Sequence, residues 1–295
     1  MKNLKKLSAL VIGALCALTS VEASAQILYK VEKPGDSKVS YLLGTHHFAP
    51  VSMLDSLKAL PEALKSVDKL YGEIVMADMT KPENMMVLQQ AMMAPQDSTL
   101  DKVLKPAELD SVSKMWSDFG AGVPLEMLYP MKPGALSAQI ASLMAMKVMP
   151  EINPMEGIDQ TMQNRAAALG KPVGGFETVE QQAQTLFGQP IVKQARDLMN
   201  TVRNIDEEGE KAVKLSQAYL NHDMDTILKM MTSEEGDEAD YERLLYSRND
   251  NWLRQLTEEL PTTSVMVVVG AGHLPGPRGV IEGLRKAGYT VTPVE

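Results

Sequence analysis

An almost wholly apolar run of β-branched residues, Ser264 to Val269, constrains how this chain can fold more than any other segment. A strand of this kind is buried on both faces, and such strands lie in parallel sheets covered by helices on both sides. The run ends at Gly270–His273, which reads Gly-Ala-Gly-His, and its glycines allow the sharp turn that brings the histidine over the sheet edge. In open α/β sheets, ligands bind beyond the strand ends, so this loop is a candidate site.

A second strand near the N-terminus also ends in a histidine loop. Gln26 to Val31 and Val39 to Leu43 are rich in β-forming residues and flank the turn Pro34 to Ser37, which predicts a hairpin. The second strand leads into Gly44–His47, which reads Gly-Thr-His-His. Three of the four histidines therefore lie in two Gly-x-x-His loops, one in each half of the chain. This distribution predicts one site assembled from both halves.

The hydrophobic pattern between the two loops is mainly helical. Apolar residues at helical spacing predict a helix over Met53–Val67, and Leu70–Met76 is a strand candidate with Glu73 in its middle. The segment from about 80 to 170 is helical, is divided by prolines and contains most of the methionines. We predict a helical insertion there, whose methionines act as flexible core filler rather than as a peptide groove.

The later elements alternate between short strands and helices. The pattern predicts a strand at Pro172–Phe176, one long helix from Ile191 toward Tyr219, helices at Asp223–Met231 and Asp237–Leu260, and a last strand at Tyr289–Val294. The expected fold class is α/β, or α+β, with a central mixed β-sheet flanked by many helices.

The first 25 residues have the pattern of a secretory signal, with a basic start, an apolar stretch and the small residues Ala23-Ser24-Ala25. Residues 26–295 are then expected to form a single exported domain, periplasmic or secreted. The only cysteine, Cys16, lies in this leader, so no disulfide is expected.

Charge and hydropathy limit the partners. The net charge is −9, which makes nucleic acid and anionic membrane surfaces poor partners. No segment after the leader is apolar over the roughly 20 residues that a spanning helix needs. A peptide or small-molecule substrate is expected, whereas the sequence does not indicate the oligomeric state.

Three residues could form a hydrolytic centre. His47 and His273 end the two loops, and Glu73 lies in an apolar run where an unpaired carboxylate is costly. Glu73 is either a strand-end acid paired with an arginine, or a metal ligand or general base. Two imidazoles and one carboxylate are the smallest ligand set for a hydrolytic divalent metal with an open position for water. Because side chains alternate along extended backbone, one of His46 and His47 is expected to face the site.

Arg248, followed by Asn249 on a predicted helix, is a candidate partner for these groups. Its guanidinium could orient Glu73 or bind a substrate carboxylate with two hydrogen bonds. An ordinary surface ion pair with Glu242 or Asp250 is the alternative.

Several short motifs together resemble one family. They occur in the order Gly44–His47, Glu73, Gly157-Ile158-Asp159, Gly175-Phe176-Glu177-Thr178, Arg248-Asn249 with Trp252, and Val269–Gly276. This pattern resembles the TraB/PrgY/GumN family, which includes the Tiki metalloproteases, and covers nearly all of the chain after the leader. The resemblance implies a fold related to the ChaN haem-binding and erythromycin-esterase-like proteins. It also implies that His47, His273 and Glu73 form the site, and that Glu177 and Arg248 occupy polar family positions.

From the residues and the resemblance we predict an exported metal-dependent hydrolase, peptidase-like in its chemistry. His47, His273 and Glu73 would bind Mn²⁺, Co²⁺ or Zn²⁺, with Glu73 as ligand or base and Arg248 positioning the substrate. One alternative is a non-enzymatic periplasmic protein that binds haem or another small ligand in the same cleft. A metal-free esterase with histidine as the base is another.

Overall fold

The structure, a computed structural model, describes residues 26–119, 122–149, 156–232 and 237–294. Its centre is a six-stranded mixed sheet in the order β4-β3-β5-β2-β1-β6. Strands β4, β3, β5 and β2 are parallel to one another, and β1 and β6 continue the sheet in antiparallel pairing. The strands are β1 (Leu28–Glu32), β2 (Val39–Thr45), β3 (Lys69–Gly72), β4 (Val173–Gly175), β5 (Val265–Gly270) and β6 (Thr290–Pro293).

Helices surround this sheet, which confirms the predicted fold class. The α-helices are α1 (Leu60–Ser66), α2 (Pro82–Met92), α3 (Leu100–Val103), α4 (Pro106–Asp118), α5 (Pro133–Val148), α6 (Ile158–Ala168), α7 (Val179–Phe187), α8 (Ile191–Arg203), α9 (Ile205–Leu220), α10 (Met224–Met231), α11 (Glu238–Tyr241), α12 (Ser247–Glu259) and α13 (Val280–Lys286). Short 3₁₀ turns lie at Val51–Ser56, Met76–Thr80, Leu125–Leu128 and Ala271–His273, and a π-helical turn at Glu242–Tyr246 leads into α12.

The predicted hairpin and the buried strand are both present. Val39 pairs with Glu32 at the turn of the hairpin, and five of the six residues of β5 are buried. Residues 1–25, on which the leader prediction rests, lie outside the described residues. None of the described helices is long and apolar enough to cross a bilayer.

Three element predictions are wrong. The helix predicted over Met53–Val67 is a 3₁₀ turn, Val51–Ser56, followed by the separate helix α1, because Leu57, with φ of −86° and ψ of 80°, is not helical. The strand predicted over Leu70–Met76 ends at Gly72, because Gln163 replaces a neighbouring strand: its amide donates to the carbonyl of Ile74 and accepts from the N–H of Met76. The single helix predicted from Ile191 toward Tyr219 is two helices, α8 and α9. The break is at Asn204, whose φ of −115° and ψ of 28° are not helical, and asparagine favours helix ends over interiors.

The protein has two hydrophobic clusters. The larger one surrounds the sheet and includes Leu43, Val267 and Trp252. The smaller one lies between α3, α4, α5, α8 and α9, with Leu136 and Leu198 fully buried in it. The smaller cluster therefore combines helices of the 80–170 segment with helices from beyond it, while α6 contributes Ile158 to the larger cluster. Whether the chain is one domain with an insertion stays a prediction.

Gly175 at the end of β4 allows two segments to approach closely. A β-carbon there would lie 2.9 Å from the Cα of Ile74 and from the backbone nitrogen of Val75. We expect Gly175→Ala to lower the free energy of unfolding by about 1–3 kcal/mol, because backbone atoms must move. The matched variant Gly209→Ala, inside α9 with open space around it, should raise it by up to about 1 kcal/mol through helix propensity. Urea unfolding measures both, and equal effects of the two variants would contradict this packing.

Candidate active site

The carboxyl ends of the four parallel strands meet at one edge of the sheet and open into a cavity of about 490 Å³. Thr45 at the end of β2 lies opposite Gly270 of β5, and Gly72 of β3 lies opposite Gly175 of β4. The residue or loop after each strand is therefore brought to the same place. The cavity is lined by His46, His47, Glu73, Asp159, Arg248 and His273, among others.

His273 is held in one tautomer by Asn249. The amide nitrogen of Asn249 donates to the carbonyls of His273 and Arg278, so its oxygen faces the ring and accepts from Nδ1 at 2.7 Å. Burial lowers the pKa of His273 to about 4, so the ring is neutral at physiological pH. The proton is then on Nδ1, and Nε2 carries a lone pair directed toward the charged cluster.

Glu73 is a buried, ionised carboxylate. Its Oε1 accepts from the N–H of Gly270 at 2.9 Å, and its Oε2 accepts from Arg248 at 2.5 Å and Gln182 at 3.2 Å. Burial by itself would raise the pKa of Glu73, but the basic side chains of His273 and Arg248 and the Gly270 hydrogen bond lower it to about 2. Glu73 thus keeps its negative charge inside the protein.

Arg248 contacts both Glu73 and His273, whose Oε1 and Nε2 atoms are 3.8 Å apart, and its guanidinium is fully hydrogen-bonded. Two donors contact Glu177 at 2.7 and 3.0 Å, one contacts Glu73 at 2.5 Å, one contacts His273 Nε2 at 3.1 Å and one contacts the carbonyl of Leu244 at 3.1 Å. Its side chain is only 11% exposed. Arginine has five such donors, so none is left free. Arg248 is therefore a fixed cation of the cluster and not the surface ion pair of the alternative prediction; Glu242 and Asp250 bind Arg278 instead.

The ring of Trp252 packs against Arg248 and His273. Its ring lies 4.8 Å from the guanidinium of Arg248 and 4.4 Å from the ring of His273, and it stacks on Phe176. The indole N–H donates to Glu177 at 3.1 Å. Trp252 is fully buried, so it fixes the orientation of Arg248 and His273.

His47 also lines the cavity and has its own acidic partner. Its Nδ1 is 3.1 Å from the carboxylate of Asp159, which also accepts from the hydroxyl of Thr45 at 3.0 Å. The hydrogen bond to Asp159 raises the pKa of His47. The His47 side chain is 67% exposed, so it is accessible from solvent.

His46 also lines the cavity, so both histidines of the pair border it. The Nδ1 of His46 accepts from the N–H of Phe48 at 3.0 Å, and burial lowers its pKa to about 4. A neutral ring with Nδ1 as acceptor carries its proton on Nε2, which makes that atom a donor rather than a metal ligand. This Nε2 is buried and has no hydrogen-bond partner among the described residues.

The chemistry of these donors fits a divalent cation. His273 and His47 each bond through Nδ1 to a side-chain oxygen, which leaves Nε2 toward the cavity, as is common in metal-ligating histidines. Glu73, Glu177 and Arg248 together carry a net charge of −1, which favours the binding of a cation. In the described ranges, however, no three His, Cys, Asp or Glu side chains form a group that could hold an ion, although His273 Nε2 lies 3.8 Å from Glu73 Oε1. A metal would have to displace contacts of this arginine and the proton of His47.

The structure brings all four predicted residues, His47, Glu73, Arg248 and His273, to one cavity, but whether they act in a reaction is untested. Sequence reasoning did not assign roles to three supporting residues, Asp159, Asn249 and Trp252. Glu177 had a detectable signal, since it directly follows the strand predicted at Pro172–Phe176, just as Glu73 directly follows β3 in the structure. Trp252, four positions after Arg248 on a helix, had one as well.

The sequence matches a known family over almost all of this architecture. The model of the TraB/PrgY/gumN family matches residues 27–293. The chain belongs to this family. Similar curated relatives are "Metalloprotease TIKI1" of Xenopus tropicalis (23% identical, covering 85% of this chain and 59% of the relative) and "Metalloprotease TIKI2" of Danio rerio (23%, 90% and 60%). "Metalloprotease TIKI1" of Homo sapiens is 25% identical and covers 85% of this chain and 59% of the relative.

Membership of the TraB/PrgY/gumN family relates this chain distantly to proteases. The chain spans about three fifths of the length of these relatives. No solved structure matches it.

Proposed function

We propose that this TraB/PrgY/gumN protein is an exported hydrolase that cleaves peptide bonds with the help of a divalent metal. The observation that carries the proposal is the convergence of His47, Glu73, Arg248 and His273 on one cavity beyond the parallel strand ends. The relatives named as metalloproteases support the same class of reaction.

His47, His273 and Glu73 are the residues that would hold the metal. When bound, such an ion lowers the pKa of a water molecule and polarises the substrate carbonyl. His273 contributes a neutral Nε2, because Asn249 holds the proton on Nδ1. Asp159 orients His47 through a hydrogen bond that its carboxylate accepts from Nδ1.

Glu73 and Arg248 supply the charged groups of the proposed reaction. Glu73 is ionised and serves as a ligand or as the base that accepts a proton from water. Arg248 is fixed by Glu177 and faces the cavity with its Nη1 and Nη2 edge. Its positive charge would stabilise the negative charge that develops on the carbonyl oxygen during attack.

One observation favours a second candidate function, metal-free ester or amide hydrolysis. Arg248 contacts Oε2 of Glu73 and Nε2 of His273, two atoms that a metal would otherwise bind. In that case the neutral form of His47, oriented by Asp159, would be the base that activates water, and its raised pKa restricts this form to alkaline pH.

Export and domain organisation are part of the proposal. The leader-like residues 1–25 would be removed, and residues 26–295 would act as a single domain outside the cytoplasm. We expect N-terminal sequencing of the protein recovered from the periplasm or medium to begin at Gln26. Recovery of the full-length chain only from the cytoplasm would contradict export.

Metal content tests the proposed function directly. After incubation with Mn²⁺, Co²⁺ or Zn²⁺ and removal of excess ion, we expect elemental mass spectrometry to find about one metal per chain. Asp159→Asn should weaken the affinity for the metal about 10- to 100-fold, because His47 loses the partner that orients it. The exposed Asp118→Asn, whose partner is Lys114, is the matched control and should bind metal normally. Absence of metal from the wild-type protein would favour the metal-free candidate.

A further inference from the structure

The cavity has two chemically different walls. Its charged side chains, His47, Glu73, Asp159 and Arg248, lie together beside the strand ends. A second group of lining side chains is apolar and is here called the apolar wall: Met76 and Met79 after β3, Leu186 on α7, Leu215 on α9, Met231 on α10 and Leu245 on the π-helical turn. None of these six side chains is charged.

Several of these apolar side chains are only partly buried. Leu186 is 47% exposed, and Met76, Met79, Leu215 and Met231 are half-buried. They border concave space, and partly exposed apolar groups around a cavity with a few convergent polar groups are typical of ligand sites.

Met231 places this apolar wall next to the proposed chemistry. A β-carbon on Gly272 would lie 3.0 Å from the Cε of Met231, so this methyl group covers the backbone just before His273. A group bound against Met231 would therefore lie close to His273, one of the residues proposed to hold the metal.

We propose that the wall of Met76, Met79, Leu186, Leu215, Met231 and Leu245, here called the apolar subsite, binds a bulky apolar side chain next to the scissile bond of the substrate. This inference rests on the proposed function and names its substrate class: peptides with Leu, Met or Phe at that position. A charged side chain would lose hydration there without a counter-charge, which selects against it. The three thioethers are flexible, so the subsite should accept several apolar shapes.

Cleavage of a fluorogenic peptide library tests the preference. We expect kcat/KM to be at least about 10-fold higher for Leu, Met or Phe than for Ala or Gly at one position beside the cleaved bond. Met231→Glu should abolish this preference and favour Lys or Arg, and Met231→Leu should keep it. Met79→Glu, on the other side of the subsite, is a second variant in case Met231→Glu does not fold. The control Met127→Glu, at a 70% exposed position outside the cavity, should leave the profile unchanged.

Binding without turnover separates this inference from the proposed function. In protein labelled with ¹³C at the methionine methyl groups, N-acetyl-L-leucinamide should shift the signals of Met76, Met79 and Met231 but not that of Met127. N-acetylglycinamide should shift none of them. Equal responses to both compounds, or none at the three methionines, would overturn the apolar subsite. Selective shifts in a protein that hydrolyses no peptide would keep the subsite and refute the peptidase.

Discussion

Arg248→Met is expected to lower the free energy of unfolding by about 3–5 kcal/mol, the usual cost of leaving a buried charge without its partner. The substitution keeps much of the side-chain volume over Trp252 but removes all five hydrogen bonds. Glu73 and Glu177 then remain as two nearby carboxylates, 10% and 6% exposed, without a cation. Urea or thermal unfolding followed by circular dichroism measures the change.

Arg278→Met is the matched control for this prediction. Arg278 also contacts two carboxylates, those of Glu242 and Asp250, but its side chain is 42% exposed and theirs are 48% and 58% exposed. Solvent screens such pairs, so the expected loss is at most about 1 kcal/mol. If the two methionine variants lost similar stability, Arg248 would not be the buried cation that organises the cluster.

His47→Ala is expected to lower kcat/KM by about 100- to 10,000-fold, the range for loss of a group that transfers protons or binds the reacting centre. The His47 side chain is 67% exposed, so its removal should leave the fold intact. The loss would therefore report chemistry rather than unfolding. His273→Ala should reduce activity at least as far, with an added loss of stability because Asn249 and Arg248 each lose a hydrogen bond.

The control for the histidine variants is His222→Asn. His222 lies outside the cavity at a positive φ of 57°, a backbone conformation that asparagine tolerates better than most residues. Its activity should remain close to that of the wild-type protein. Full activity in His47→Ala or in His273→Ala would remove that residue from the mechanism.

Much of this architecture could be predicted from local sequence. The apolar β-branched run of β5 and the hairpin of β1 and β2 are specified by nearest neighbours, and the two Gly-x-x-His loops follow from the strand ends. The position of Glu73 in an apolar run marks it as a candidate site residue, and the structure shows that its side chain is buried.

The remaining features depend on contacts between distant residues. The end of β3 is set by Gln163, 89 positions from its partner Ile74, and no periodicity in the strand itself contains that information. Arg248 reaches Glu73 over 175 positions, so its choice between Glu73 and a surface carboxylate depends on tertiary structure. Asn249 and Asp159 act by selecting a histidine tautomer and orientation, which only the assembled site defines.

The central claim is that this cavity hydrolyses peptides with the help of a metal, and chelation tests it most directly. We would measure cleavage of the fluorogenic peptide library by the purified chain from Gln26 onward, before and after EDTA treatment, and after adding back Mn²⁺, Co²⁺ or Zn²⁺. The account predicts activity that EDTA abolishes, that at least one of these ions restores, and that His273→Ala lacks under every condition. Cleavage that EDTA leaves unchanged would contradict the metal mechanism and support the acid–histidine pair of Asp159 and His47. Absence of cleavage under all conditions would contradict the peptidase itself.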